Sequence, residues 1–389
     1  MSSPLFSKLS SNYFFYFAIL GLVIPFLPVY LDFKGLNSLQ IGEVLAIFTA
    51  TKIIGPTLWA NLADKTGQQL TIIRFGALFA CISFSLLIFV DSYWPIAFVL
   101  AIFSLFWTAI LPQLEVHTLS CVRRSAKIYA RVRLWGSLGF IVFAVLAGEV
   151  IAKTSPNAFS FIGLVILLAL YLSTLSLKAN RLKSVVHGAK NSIFSTLFTA
   201  NFILFFLSGL LLQISFGPYY SFFALYLRDL NYPVYAVGVY ISLGVVAEIF
   251  IFIVVGRLYQ RFSMRLLLIL SFLFTALRWY VTGNYAGNAG ILALSQLLHA
   301  ASFGLYHSVS ISFIEQYFNA DQQNRGQAIY ISGVYGLGGA IGAYLAGFVW
   351  LEGVGAQAAY QLASYLAVIA ALLALMIKRA SNNQWFYKN

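Results

Sequence analysis

Charge is what this chain has least of. Charged residues make up 9% of 389 positions, and only 11 are acidic. A soluble domain carries about 25% charged residues, so a soluble globular protein is excluded. Cysteine is nearly absent too: Cys81 and Cys121 are the only two. One falls in an apolar run and one in a predicted loop, which rules out a disulfide framework. No polar stretch is long enough for a soluble domain; the longest, Lys178 to Ser192, reads as a basic solvated linker or, as a second reading, a regulatory docking site. The signatures of enzymes are missing as well: there is no HExxH, no GxSxG and no pair of acids on one apolar run. No Cys or carboxylate stands at ligand spacing from the span histidines His299 and His307, so no metal site is expected there, and no cofactor is expected. The string GLGGAIG at 336–342 is not a nucleotide loop, because no strand precedes it.

What remains is apolar. Hydrophobic residues reach 61%, and they fall into twelve runs near the length that crosses a bilayer as a helix, roughly 11–31, 39–62, 70–90, 94–116, 130–152, 158–177, 196–226, 235–258, 265–283, 289–316, 326–350 and 358–377. The first run is too long for a cleavable signal and more follow it. The reading is an all-α membrane protein of twelve transmembrane helices, in two six-helix bundles at 1–177 and 195–389 joined by a cytoplasmic linker at 178–194. Prolines 25, 28, 56, 112 and 218 lie inside runs and are expected to kink them. Gly338 and Gly342 form a GxxxG spacing, and Gly136, Gly139 and Gly148 a similar series, both read as packing surfaces.

The net charge of +13 has a placement that excludes nucleic acid. With both termini cytoplasmic, 19 of the 24 Lys and Arg side chains fall on the cytoplasmic side, including Arg123, Arg124, Arg181, Lys183, Lys190, Arg379 and Lys388. Only Lys34, Lys153 and Arg228 fall outside, and Lys52 and Arg278 lie within runs. This positive-inside pattern orients a multi-pass membrane protein, with anionic lipid headgroups as neighbours of the cations. Terminal aromatics such as Tyr93, Trp94, Trp350 and Trp385 fit interfacial belts.

Two of the rare charges occupy matching places. Lys52 and Glu248 each lie ten residues after a glycine, Gly42 and Gly238, and differ by 196 positions. Asp64-Lys65 and Gln260-Arg261 differ by the same 196. Ten helical residues rise about 15 Å, half of a hydrocarbon core about 30 Å thick. Charges at that depth line a polar path or pair with one another. An internal duplication with ionisable groups at its middle reads as a secondary transporter working by alternating access. A channel would favour symmetric subunits or a filter loop instead.

Counting outward from hairpin centres places more polar groups level. Arg278 and His299 are about equally far from Asn288, and Glu115 and Arg133 are each nine residues from Arg124. Two cross-helix pairs are therefore expected, serving either function or structure. His299 reads equally as a proton carrier or as a satisfied neutral histidine. His307, eight residues on and about 80° around an α-helix, is placed on another face. His117 reads as plain interface near a cytoplasmic end. Glu43, Glu149 and Glu315, near run ends, face water or take part in gating. Phe140, Tyr219 and Tyr220 are candidates for an aromatic platform.

These residues resemble a family. Ala60-Asn-Leu-Ala-Asp64-Lys65-Thr-Gly67 resembles the loop motif of the major facilitator superfamily, with Ala60 for the usual glycine and Gln68-Gln69 for the usual basic residues. Tyr16-Phe-Ala-Ile-Leu-Gly21 with Pro25-Phe-Leu-Pro28 is similar to the first span of its oligosaccharide-proton symporter group, which includes lactose permease. Glu115 and Arg133 keep the spacing of that group's sugar-binding pair, and Glu248, Arg278 and His299 resemble its sugar and proton residues. Ser302 stands where the group's proton-carrying glutamate would be, and Phe140 where its stacking tryptophan would be. Tyr129-Ala-Arg-Val-Arg-Leu-Trp-Gly-Ser137, Gly244-Val-Val-Ala-Glu-Ile249, Arg278-Trp279 and Gln296-Leu-Leu-His299 resemble the 3-phenylpropionic acid transporter branch more closely, and a basic residue like Lys52 recurs there. The resemblance implies a proton-linked permease, a functional monomer, for a small organic solute: an aromatic acid, a sugar or a nucleoside. It implies substrate or proton roles for Lys52, Glu115, Arg133, Phe140, Glu248, Arg278 and His299, and gating or structural roles for Asp64, Lys65, Gly67 and Glu315.

Overall fold

In lipid every backbone N–H and C=O must find a partner within the protein, which leaves a helix as the structure for each apolar run. The computed structural model describes residues 3–122, 125–178, 193–319 and 322–378. The basic linker from 179 to 192 and Arg123, Arg124, Arg181, Lys183, His187, Lys190, Arg379, Trp385 and Lys388 lie outside the described residues. Among the described residues there are twelve helical spans: Pro4–Phe33, Ser38–Thr66, Gln69–Ile88, Tyr93–Cys121, Lys127–Lys153, Ala158–Leu175, Ala200–Asp229, Val234–Arg261, Met264–Tyr285, Ala289–Tyr317, Gln323–Gly353 and Ala356–Met376. They are numbered 1 to 12 below.

Local chemistry sets the ends. Asn37 caps span 2 by accepting from the Gln40 N–H at 2.9 Å, while Gln40 Oε1 accepts from the Asn37 N–H at 3.1 Å. Gly67 closes the same span in the left-handed region, φ 65°, where its N–H reaches the Ala63 carbonyl. That conformation is the reason for glycine in the loop motif. Asn288 caps span 10 through Gly290 and Ile291 at 3.0 and 3.1 Å.

The prolines act differently from one another. Pro25, Pro28 and Pro56 sit inside unbroken helix. Spans 4 and 7 are interrupted just before Pro112 and Pro218, in the first turns of Ile110–Cys121 and Gly217–Asp229. There the missing proline N–H leaves no gap in the ladder. Spans 10 and 11 carry π-helical stretches at Ala300–Leu305 and Ile331–Leu337. Such wide turns recur at functional sites.

By contacts the chain forms two compact units, Met1–Val186 with Ser221–Ser242, and His187–Tyr220 with Leu243–Asn389. In the first, glycines bring backbones together: a Cβ on Gly238 would lie 2.0 Å from the Ala144 carbonyl oxygen, and one on Gly148 2.9 Å from the Tyr235 Cα. This is why residues 221–242 group with the N-terminal spans. In the second, the Gly338 and Gly342 series packs on span 7, where Gly342 faces the Ile214 carbonyl. Neither cysteine is in a disulfide.

Candidate functional site

Polar side chains gather in each unit. In the second, Arg278 of span 9 is fully buried. A charge in the membrane core costs at least about 3 kcal/mol unless it is solvated by the protein. Neighbouring spans supply that solvation. One terminal nitrogen of Arg278 lies 2.8 Å from His299 Nδ1 and donates to Ser302 Oγ at 3.2 Å. The other donates to Gln296 Oε1 at 3.1 Å, which also accepts from Tyr219 at 3.0 Å. The guanidinium plane sits 4.3 Å from the Tyr219 ring centre and 4.5 Å from that of Trp279. Trp279 is held in turn by its indole N–H, which donates to Ser215 at 3.0 Å.

The tautomer of His299 follows from this. Arginine has no acceptor, so Nδ1 of His299 accepts from Arg278. The neutral ring then carries its proton on Nε2, which faces Glu248 Oε2 at 3.7 Å. Glu248 sits in the middle of span 8, between the glycines that let spans 8 and 10 approach: Gly244 lies against His299 and Gly304 against Glu248. The side chains of His299 and Glu248 are 9% and 18% exposed, so the chain Arg278–His299–Glu248 runs from the core to an accessible carboxylate. The expectation that Arg278 and His299 stand level on adjacent helices holds.

The expectation that His299 and His307 occupy different faces does not. The rings of His299, Phe303 and His307 form a column, with centres 5.3 and 6.2 Å apart and planes within 6°. The π-helical turns at Ala300–Leu305 slow the rotation of the helix, so positions eight apart realign. His307 Nδ1 lies 3.0 Å from the Tyr335 hydroxyl, beside the second π-helical stretch.

In the first unit the Glu115–Arg133 ion pair does not form. Glu115 accepts from Tyr129 at 3.3 Å. Arg133 instead lays its guanidinium over Phe17 of span 1, 3.8 Å from the ring centre. Lys52 is fourteen residues from either end of span 2. Its ammonium lies 5.3 Å from the Phe48 ring centre and 6.0 Å from that of Trp107. Trp107 stacks on Tyr16 at 5.0 Å and 13° and on Phe103 at 6.0 Å and 18°. Phe140 is buried, its backbone carbonyl against Gly21 of span 1. His117, read as interface, is instead buried with Nε2 3.6 Å from the Cys121 sulfur.

The end-of-span groups are simpler. Asp64, Lys65 and Glu315 are exposed. Glu43 accepts from Tyr93 at 2.7 Å, and Glu149 pairs with Lys153 at 2.8 Å. Trp107 and Phe17, and the contacts made by Tyr129 and Gln296, are not among the residues that the sequence singles out for a role. Gln296 carried a signal, a polar amide three residues before a span histidine; the aromatics carried none in a chain with 17% aromatic residues.

Comparison with known proteins agrees with this architecture. A family model described as the MFS_1 like family matches residues 6–362. A probable 3-phenylpropionic acid transporter of Escherichia coli (strain K12) is 27% identical over 355 residues, 88% of this chain and 90% of the relative. A maltose permease of Geobacillus stearothermophilus is 24% identical over 386 residues, 94% and 93% of the two chains. The crystal structure of the nucleoside transporter NupG superposes with a TM-score of 0.82 at 17% identity, over 96% of this chain and 98% of that one. With the family matched over nearly its whole length, the chain belongs to the MFS_1 like family and is a multi-pass secondary transporter of the major facilitator type for small molecules.

Proposed function

We propose that the protein is a proton-linked symporter for a small organic solute, an aromatic acid or a sugar, in which Glu248 takes the proton. The observation that carries this reading is the chain Arg278–His299–Glu248. Arg278 occupies the acceptor nitrogen of His299, so protonating that ring would break the bond and place two cations together. Glu248 is the acid at the accessible end, and Ser302, bonded to Arg278, has no carboxyl to offer. Protonation of Glu248 removes the negative charge from the Arg278 cluster, and a solute that binds this protonated form more tightly is coupled to the proton. Proton and solute favour each other by reciprocal linkage.

The remaining assignments follow the same reading. Lys52, Glu115, Arg133 and Phe140 contribute to solute recognition in the first unit. Asp64, Lys65, Gly67 and Glu315 serve gating or its support. The protein works as a monomer in the cell inner membrane, with 178–194 linking the halves 1–177 and 195–389 and both termini cytoplasmic, as the placement of Lys and Arg supports.

The test is transport into proteoliposomes with and without an imposed pH gradient, using 3-phenylpropionate, maltose and uridine as probes. The wild type is expected to accumulate one of them uphill only when the gradient is present. The Glu248→Gln form is expected to exchange that solute across the membrane yet fail to accumulate it. Uphill accumulation by Glu248→Gln, or wild-type uptake indifferent to the gradient, overturns the reading.

A further inference from the structure

We infer that Lys52 and the indole N–H of Trp107 form an anion subsite that takes the carboxylate of an aromatic acid, with the Tyr16, Phe48 and Trp107 rings flanking the arene. The inference rests on the transporter reading and names its substrate class.

It starts from the acceptors. Of the three cations discussed, Arg278 gives its terminal nitrogens to His299, Ser302 and Gln296. Arg133 lies over the Phe17 ring and has the Glu115 carboxylate within electrostatic reach. Lys52 has only ring faces near it, at 5.3 and 6.0 Å, and no carboxylate or hydrogen-bond acceptor among the described residues. Ring faces attract a cation but offer its N–H groups no directed oxygen. An ammonium at the middle of a span without an anion is the costliest arrangement in the unit.

The second observation is independent. Trp107 is 4% exposed and its Nε1–H is buried without an acceptor. A buried donor left unmade carries the full cost of its lost hydration. Buried indole N–H groups ordinarily find partners, as Trp59 does at the Leu105 carbonyl, 2.8 Å away, in the same unit. Two orphan donors therefore stand on one aromatic wall, and neither has an acceptor. A carboxylate carries two oxygens and about four lone-pair sites, so one group can satisfy both. A sugar hydroxyl would leave the charge of Lys52 uncompensated. The wall is stacked in parallel, Tyr16 on Trp107 and Trp107 on Phe48 within 20°, which suits a flat ring beside the carboxylate.

The experiment compares an acid with its neutral isostere in the full-length protein in nanodiscs. Isothermal titration measures 3-phenylpropionate, benzoate and the corresponding amides against wild type, Lys52→Gln, Lys52→Arg and Trp107→Phe, with thermal melts as a folding control. Wild type is expected to prefer at least one acid over its amide by about 30-fold, a difference that lies within a charge-assisted contact. Lys52→Gln is expected to lower that ratio below about threefold, and Lys52→Arg to keep most of it. Trp107→Phe is expected to weaken the acid about fivefold and the amide less, because the amide oxygen is an uncharged acceptor. An acid preference that survives in Lys52→Gln, or a wild type that prefers no acid in the set, overturns the inference. If Trp107→Phe leaves the affinity for the acid unchanged, the indole N–H is not part of the subsite and the inference fails. Proton-driven uptake of maltose or uridine without acid binding would sink this inference while leaving the symporter reading intact.

Discussion

Asp32 and Arg228 are 196 positions apart, the same offset as Lys52 and Glu248, and they are joined as an ion pair within the first unit. They close the C-terminal ends of spans 1 and 7, the equivalent spans of the two halves. A duplicated position has thus become a pair of opposite charges. Arg228 also holds Asp229 at 3.2 Å, and its side chain is 49% exposed. An exposed pair contributes about 0–1 kcal/mol, because solvent screens it. Neutralising Asp32 to Asn or Arg228 to Gln is expected to shift thermal stability by less than about 1 kcal/mol, with a coupling energy in the double-mutant cycle of the same size. Unfolding in detergent followed by intrinsic fluorescence checks this, and a coupling above about 2 kcal/mol contradicts it.

The polar cluster around Arg278 is a different case, because its members are buried. Gln296 Oε1 accepts from both Arg278 and Tyr219, whereas Ser302 shares one arginine nitrogen with His299. Gln296→Leu would take the acceptor from a buried Arg278 nitrogen and from the Tyr219 hydroxyl, and the loss at the arginine alone is about 1–3 kcal/mol. Ser302→Ala would leave that nitrogen still bonded to His299, at about 1 kcal/mol or less. The melting temperature of Gln296→Leu is therefore expected to fall by clearly more than that of Ser302→Ala. Equal shifts would mean the cluster is looser than its distances state.

Part of this was legible in the sequence. Apolar runs near twenty residues locate the twelve spans, since a bilayer fixes the length. Counting from Asn288 places Arg278 beside His299, because both arms of that hairpin start as regular helix. The same counting brings Glu115 and Arg133 within electrostatic reach of each other without a direct ion pair. Arg133 lies over Phe17, on a span that the hairpin count does not include. Periodicity fails at His307, where the π-helical turns after His299 change the rotation per residue. Periodicity assumes a constant pitch, and nothing in Ala300–Leu305 announces the change. Trp107 is illegible for another reason: a lone tryptophan in a span is ordinarily packing, and only its unmet N–H marks it.

Close backbone approach gives a pair of opposite predictions. A Cβ on Gly217 would stand 2.1 Å from the Gly342 carbonyl oxygen, and backbone cannot swing away as a side chain can. Gly217→Ala is expected to separate spans 7 and 11 and destabilise the protein by about 1–3 kcal/mol. Gly256, in span 8, has nothing within 4 Å of its would-be Cβ. There alanine removes backbone freedom from a helical position and is expected to be neutral or stabilising by up to about 1 kcal/mol. Thermal melts of the two purified variants side by side decide the matter, and a stable Gly217→Ala would show that the contact relaxes.

The last prediction separates Glu248 from His299 as proton carrier. His299 accepts at Nδ1 from Arg278 and presents an Nε2 proton toward Glu248. Glutamine can reproduce both acts with its carbonyl oxygen and amide N–H, but it cannot carry a proton. Leucine can do neither. If the ring is a fixed-tautomer spacer, His299→Gln is expected to keep more than about a tenth of wild-type uphill uptake, within about 1.4 kcal/mol of its transition-state stabilisation. His299→Leu would leave that Arg278 nitrogen with Ser302 as its acceptor and remove the ring beside Glu248, and is expected to lose uptake and about 1 kcal/mol of stability. Uptake driven by a pH gradient in proteoliposomes, paired with counterflow in its absence, reads both functions. A His299→Gln form that exchanges solute normally yet never accumulates it would make His299 the carrier and return Glu248 to a supporting role.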